Sequence, residues 1–293
     1  MTSRTDATSV DNHPIENDLK KIDPILPKAT SLLINSGNVV SGDRLKKRTN
    51  INPQDELIEV INTTFSNWLN TINKESYQEN KVIECRNPET YEKLQESELD
   101  DISISVKLFL NSLDPEVVNQ SIKQILNEMG ADHIDTLIIS YPDKVFTHEE
   151  LPNDLVIPVW SVIQDYIDAK KISTAGLADF NATYLEQFYN LLQDKNRKPS
   201  INQVNLTSCC KMPEDLVEFS KINNIQLTTH LDPRELLNSE SLQSNLRKNV
   251  HEYDSHGWIP LWQARYTLIL KGRGIVKSKG YVVYAQRELR YTE

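Results

Sequence analysis

Three stretches decide the fold: HIDTLIISYP at residues 133–142, WSVIQDYIDAKK at 160–171 and ISTAGLADF at 172–180. The first and third read as short apolar strands, and the second as the helix that carries the chain between them. A strand, a crossover helix and a second strand make a βα repeat, and repeated units of this kind imply a parallel sheet covered by helices.

The same alternation extends in both directions. Residues 55–73 place Leu57, Ile58, Ile61, Phe65, Trp68, Leu69 and Ile72 on one helical stripe, with Asn52 as the capping residue and Pro53 as the first helical position. Over residues 102–110 the period changes to two. Ile102, Ile104, Val106 and Leu108 point one way, and Ser103, Ser105, Lys107 and Phe109 the other. Lys107 then lies near the end of a strand, where barrel active sites open. The next helix is framed by Asp114 as cap, Pro115 in the first turn and Gly130 past the end. A strand over 136–140 follows, then helix 155–170, strand 173–177, helix 182–193, strand 203–206, helix 213–222 and strand 226–229. Helical stretches over 235–249 and 259–270 and a strand around Ile275 complete the reading. Residues 77–99 are charged and weakly periodic, and receive no assignment. The fold class is α/β, a single (β/α)8 TIM-type barrel.

Composition agrees. The chain has 293 residues, 38% of them hydrophobic, enough for one barrel core without a second domain. Residues 1–30 are polar and carry three prolines, which predicts a disordered arm ahead of a barrel over 31–293. The net charge is −10, yet residues 258–293 hold seven basic side chains against two acidic ones. An acidic body argues against nucleic-acid binding, while the basic tail is a candidate docking element. The RLKKR cluster at residues 44–48 reads as solvated surface. No apolar run reaches the roughly 18 residues of a membrane span and no signal pattern opens the chain, so a cytoplasmic protein with no membrane partner is expected.

Several segments resemble aldo-keto reductases, which reduce carbonyls with NADPH. SVKLF at 105–109 is similar to the strand bearing the family's catalytic lysine, so Lys107 falls on that position. IISYP at 138–142 is similar to the histidine strand, but holds Ser140. No Asp-Thr-Ala-x-x-Tyr pattern supplies the remaining two groups. The resemblance therefore implies vestigial positions, Lys107 and Ser140, and no catalytic residues. It also implies a possible NADP(H) site: Gln203 for the nicotinamide amide, His230 beneath the nicotinamide, and Lys277 with Ser278 for the 2′-phosphate. Ala178 and Asp179 replace the family's Ser-Asn pair and add a carboxylate there.

A second resemblance covers more of the chain. The run INQVNLTSCCKMPEDLVEFSKINNIQLTTHLDPRELL at 201–237, and WIPLWQARYTLILKGRGIVKSKGY at 258–281, resemble the regulatory (modifier) subunits of glutamate-cysteine ligase. That family implies a non-catalytic chain in a heterodimer with the ligase's catalytic subunit. It raises the affinity for glutamate and relieves feedback inhibition by glutathione, and needs no cofactor of its own. The alternative is an NADPH-binding or residually active reductase. Three cysteines do not form a secreted disulfide framework. Cys209 and Cys210 follow a predicted strand and are candidate redox thiols near the mouth. Cys85, in a polar segment expected to be exposed, is the candidate for a disulfide to the partner. His251, Asp254 and His256 do not share a helix face, and no metal is expected.

Overall fold

The structure, a computed structural model, describes residues 23–41, 51–192, 197–206 and 211–288. The chain enters through strand β1 (Ser31–Asn35), helix α1 (Pro53–Leu69) and strand β2 (Val82–Arg86). It then alternates β3 (Ile102–Leu110), α2 (Pro115–Met129), β4 (Ile134–Ser140), α3 (Asn153–Asp168), β5 (Ile172–Ala178), α4 (Ala182–Leu191), β6 (Ile201–Asn205), α5 (Glu214–Ile222) and β7 (Gln226–His230). Helix α6 (Ser239–Asn249) and two long strands, β8 (Trp258–Leu270) and β9 (Ile275–Arg287), finish it.

The helix boundaries follow from local chemistry. Asn52 accepts a hydrogen bond from the Asp55 N–H at 2.8 Å, and Asp114 one from Glu116 N–H at 2.9 Å, each satisfying an orphan donor of the first turn. Gly130 ends α2 with φ of 68°, a left-handed conformation that a β-carbon would resist, and the Leu94 carbonyl and Lys93 side chain crowd the same spot.

Strands β3 to β7 form the parallel run read from the sequence, in sequential order. The last part of the chain departs from that reading. Residues 259–270, expected as a helix, are the inner part of strand β8. Trp258, Pro260, Trp262, Ala264, Tyr266 and Leu268 are buried, while Ile259, Leu261, Arg265 and Thr267 are less so, a period of two. Gly272 and Gly274, at φ of 74° and 63°, turn the chain back into β9. This antiparallel hairpin sits inside the sheet: β8 pairs with β3 and β9 with β1, which pairs in parallel with β2. The strand order is β2-β1-β9-β8-β3-β4-β5-β6-β7.

The sheet separates two cores. Ile102, Ile104, Val106 and Leu108 pack with the apolar stripes of α2, α3 and α4. On the other face Phe109, Tyr281 and Val283 pack with Leu57, Ile61 and Phe65 of α1 and Leu242 and Leu246 of α6. The second core also takes in Ile25, Leu26 and Ala29, all buried. Residues 23–30, expected as part of a disordered arm, are thus packed in place. The cause is tertiary and distant: Asp254 accepts from the N–H groups of Ile25 at 2.7 Å and Leu26 at 3.0 Å. Residues 1–22 of that expected arm lie outside the described residues. No helix among the described residues is long and apolar enough to cross a membrane.

Candidate functional site

The strand ends that form a barrel mouth converge on a buried cluster of charge. Lys107, near the end of β3, stands in register with Arg265 of β8, so both side chains leave the same face. Asp232, two residues past β7, lies between them. Its Oδ2 accepts from Lys107 Nζ at 2.9 Å and from Arg265 Nη2 at 2.8 Å, and Arg265 Nη1 bonds to Oδ1. His230 closes the other side. Its Nδ1 accepts from the Asp232 N–H at 3.1 Å, so the ring proton sits on Nε2 and is donated to Asp179 Oδ1, also 3.1 Å away. Asn205 bridges both arms, its N–H donating to Asp179 Oδ1 and its Nδ2 to the Asp232 carbonyl. Arg234 Nε lies 3.9 Å from Asp179 Oδ2.

The electrostatics follow from burial and pairing. Burial pulls the Lys107 ammonium below the ordinary lysine pKa, and Asp232 opposes that shift. Burial pushes Asp232 upward, but the guanidinium of Arg265 and the ammonium of Lys107 overcome it and hold the carboxyl below its usual range. Asp179 is likewise held low against burial, chiefly by His230. Asp179 also has φ of 63°, a left-handed conformation that aspartate tolerates better than most residues.

Such an arrangement anchors charge at the strand ends. Tyr281, the register neighbour of Arg265 on β9, donates its hydroxyl to Glu56 at 2.7 Å, and burial drives its pKa upward. Ser140 is buried at the end of β4, in register with Phe109. Ser140 is thus the last residue of β4, and Lys107 lies three residues before the end of β3. Asp232, Arg265 and Arg234 were missed. The HLDPR run directly after a strand was the available signal for two of them, and the helical reading of residues 259–270 hid the third.

The residues matched to NADP(H) do not assemble. Gln203 and His230 lie at the mouth, but the His230 ring is enclosed by Asp179 and Asp232 and has only 6% of its side chain exposed. Ser278 pairs with Leu268, which pairs with Ile104, three residues before Lys107 on β3. At about 3.3 Å per residue that is roughly 10 Å along the strand from Lys107. Lys277 meets Glu98 there in a tight ion pair. With the His230 ring held between two carboxylates and the Lys277 ammonium taken by Glu98, these groups as arranged do not fit a dinucleotide.

Cys85 also departs from expectation. It is fully buried on the inward side of β2, and burial raises its thiol pKa, so a disulfide to a partner has no access to it. The sequence misled because its neighbours Glu84 and Arg86 face the other way. Cys209 and Cys210 lie outside the described residues. Asp254 is occupied with backbone N–H groups. The basic tail is not a free arm, since Arg265, Lys277 and Lys279 pair with Asp232, Glu98 and Glu56.

A barrel-type α/β fold with a buried lysine on its third strand points to a class, and the chain belongs to it: the family model described as "Aldo/keto reductase family" matches residues 42–291. One reductase relative, the NAD(P)H-dependent D-xylose reductase I,II of Candida tropicalis, is 23% identical over 266 residues, 80% of this chain and 78% of that protein. Much greater similarity places the chain among the glutamate-cysteine ligase regulatory subunits. It is 36% identical to that of Homo sapiens over 265 residues, covering 90% of this chain and 95% of the relative. The putative regulatory subunit of Schizosaccharomyces pombe is 25% identical over 218 residues, 66% of this chain and 73% of that protein.

Proposed function

We propose that this chain is the non-catalytic regulatory subunit of a glutamate-cysteine ligase in the cytoplasm. It binds the catalytic subunit as a heterodimer, raises its affinity for glutamate and relieves feedback inhibition by glutathione. The observation that carries this reading is the 36% identity sustained over 95% of a named regulatory subunit.

Regulation of this kind requires tighter binding to the conformation that holds glutamate. A coupling of about 1–3 kcal/mol corresponds to a shift of about 5–150-fold in half-saturation. Reciprocity means that glutamate strengthens the complex by the same factor. The test is the ligase rate against glutamate, with and without this chain and with and without glutathione. An unchanged half-saturation and unchanged inhibition, at concentrations where the chains co-elute, would sink the proposal.

The family match and the lysine retained at the mouth favour one second reading, a residual reductase. NADPH oxidation with a panel of aldehydes and ketones, abolished by Lys107→Met, would establish it. The expected result is no turnover.

A further inference from the structure

A cavity of about 600 Å³ opens between α1, α6 and the loops that follow β1 and β2, and it shares no residue with the charge cluster at the mouth. That is the size of a small-molecule site. Its walls are rich in carboxamides. Asn62 and Asn67 lie about 140° apart around α1, so they lean to opposite sides of the helix face that floors the cavity. Asn62 Oδ1 accepts from Nδ2 of Asn249, on α6, at 2.6 Å, and Asn67 Nδ2 donates to Oδ1 of Asn87, just past β2, at 3.1 Å. Each wall thus carries one carboxamide pair, and all four side chains line the cavity.

The pairing has a chemical consequence. A carboxamide holds both a donor and an acceptor, so two of them joined by a single N–H···O bond keep one NH2 group and one carbonyl oxygen for a third group. Asn62 Nδ2 and Asn249 Oδ1 serve on one wall, Asn87 Nδ2 and Asn67 Oδ1 on the other. Turning over both amides of a pair reverses the roles and leaves the same count. A donor beside an acceptor is what the main chain of one peptide residue needs. An extended chain turns the N–H and C=O of successive residues to opposite sides, so one pair on each wall takes two successive residues.

Length and charge narrow the occupant. The α1 floor from Glu59 to Asn67 is about 12 Å long, room for about three extended residues. Lys248 stands on the α6 wall and Glu89 on the loop wall, a cation for a terminal carboxylate and an anion for a terminal ammonium. The loop wall is built in advance. The Asn38 N–H donates to the Thr90 carbonyl at 2.9 Å, Thr90 Oγ1 donates to the Ser36 carbonyl at 2.7 Å, and Gly37, at φ of 63°, leaves no space for a β-carbon against the Thr90 main chain. A preformed wall loses little order on binding. We propose that this groove binds a short extended peptide with two amide units and charged termini. Glutathione has that chemistry, and naming it as the occupant rests on the regulatory role proposed above. The chain then carries a product site of its own.

The experiment is equilibrium dialysis of the full chain alone against labelled reduced glutathione, which should show one saturable site. Asn62→Ala and Asn67→Ala should each weaken binding about three- to tenfold, the worth of a neutral hydrogen bond. Triglycine should compete, whereas free glutamate, cysteine and glycine, which lack the amides, should not at the same concentrations. Lys248 is exposed and outside the amide pairs, so Lys248→Glu should weaken triglycine and leave triglycine amide unchanged. If Asn67→Ala lowers the melting temperature by releasing the buried Asn87, Lys248→Glu and the two triglycine forms decide. No saturable uptake, or equal binding by wild type and all three variants, overturns the site and leaves the regulatory role standing. Uptake of triglycine without glutathione overturns glutathione as the occupant. Failure of the chain to co-elute with the catalytic subunit overturns the regulatory role, while the dialysis still decides the groove.

Discussion

The Lys107 ammonium lies 2.9 Å from Oδ2 of Asp232, and Arg265 bonds both oxygens of the same carboxylate. Two cations thus depend on one buried anion, contributed from the far end of the parallel run. The carboxylate links β3, β7 and β8 at the mouth, where a reductase of this fold would hold its reacting groups.

Asp232→Asn should therefore be severely destabilising. Leaving a buried charge without its partner costs about 3–5 kcal/mol, and here two lose theirs. Lys107→Met should cost less, because Arg265 still pairs with Asp232. Urea unfolding measures both, and a larger loss for Lys107→Met would show that the carboxylate is not the centre of the network.

Stability should fall in acid. Asp179 and Asp232 are held below the ordinary carboxylate range in the folded chain, since His230, Arg265 and Lys107 outweigh the effect of burial. A carboxyl depressed in the folded state stabilises it fully above its unfolded pKa of about 4, and that contribution is lost as pH falls through the folded value. Unfolding free energy should decline below about pH 5, and Asp179→Asn should flatten the decline. A wild-type slope retained in that variant would remove Asp179 from the account.

Much of this fold was legible because its signals are local. The two-residue period of residues 102–110, the caps at Asn52 and Asp114 and the stop at Gly130 each need only a short window of sequence, and each is found where it was read. Residues 259–270 misread because Ile259, Trp262, Tyr266 and Ile269 fit a helical spacing, although Gln263, Arg265 and Thr267 alternate within the same run. The alternate burial of Trp258, Trp262 and Tyr266 became decisive only once β3 and β9 flanked it. The site was less legible. Lys107 could be placed from its strand, but Asp232 is 125 residues away and the pairing is tertiary. Lys277 and Ser278 kept their sequence spacing, but Lys277 is taken by Glu98 and Ser278 stands opposite Leu268, three residues along β8 from Arg265.

Cys85 should be unreactive in the native chain. Only the thiolate attacks alkylating reagents, and burial both raises its pKa and excludes the reagent. Peptide mapping after iodoacetamide treatment should find it unlabelled until denaturant is added. Labelling at the rate of an exposed thiol would contradict its placement on the inner side of β2.

The two ends of the described chain are clasped together, and the clasp is separable from the mouth. Arg287 donates to the carbonyls of Leu26, Ala29 and Asp254 and lies 4.6 Å from the ring centre of Trp258, while the Asp254 carboxylate receives the N–H groups of Ile25 and Leu26. Arg287→Ala leaves three carbonyls short of a charged donor, at about 1.5–3 kcal/mol for a hydrogen bond of that kind. Arg287→Lys should restore little, because one ammonium cannot reach three acceptors held by a planar fork. Both variants should speed hydrogen exchange at Ile25 and Leu26 and open residues 23–30 to protease, with the mouth network intact. Arg287→Ala and Asp254→Ala should combine to less than the sum of their separate effects, since they release the same segment. Deleting the tail from Trp258 onward would instead remove two central strands, so loss of ligase binding in such a truncation would report unfolding rather than a docking arm. Wild-type protection at Ile25 and Leu26 in Arg287→Ala would mean that apolar burial alone holds the N-terminal segment.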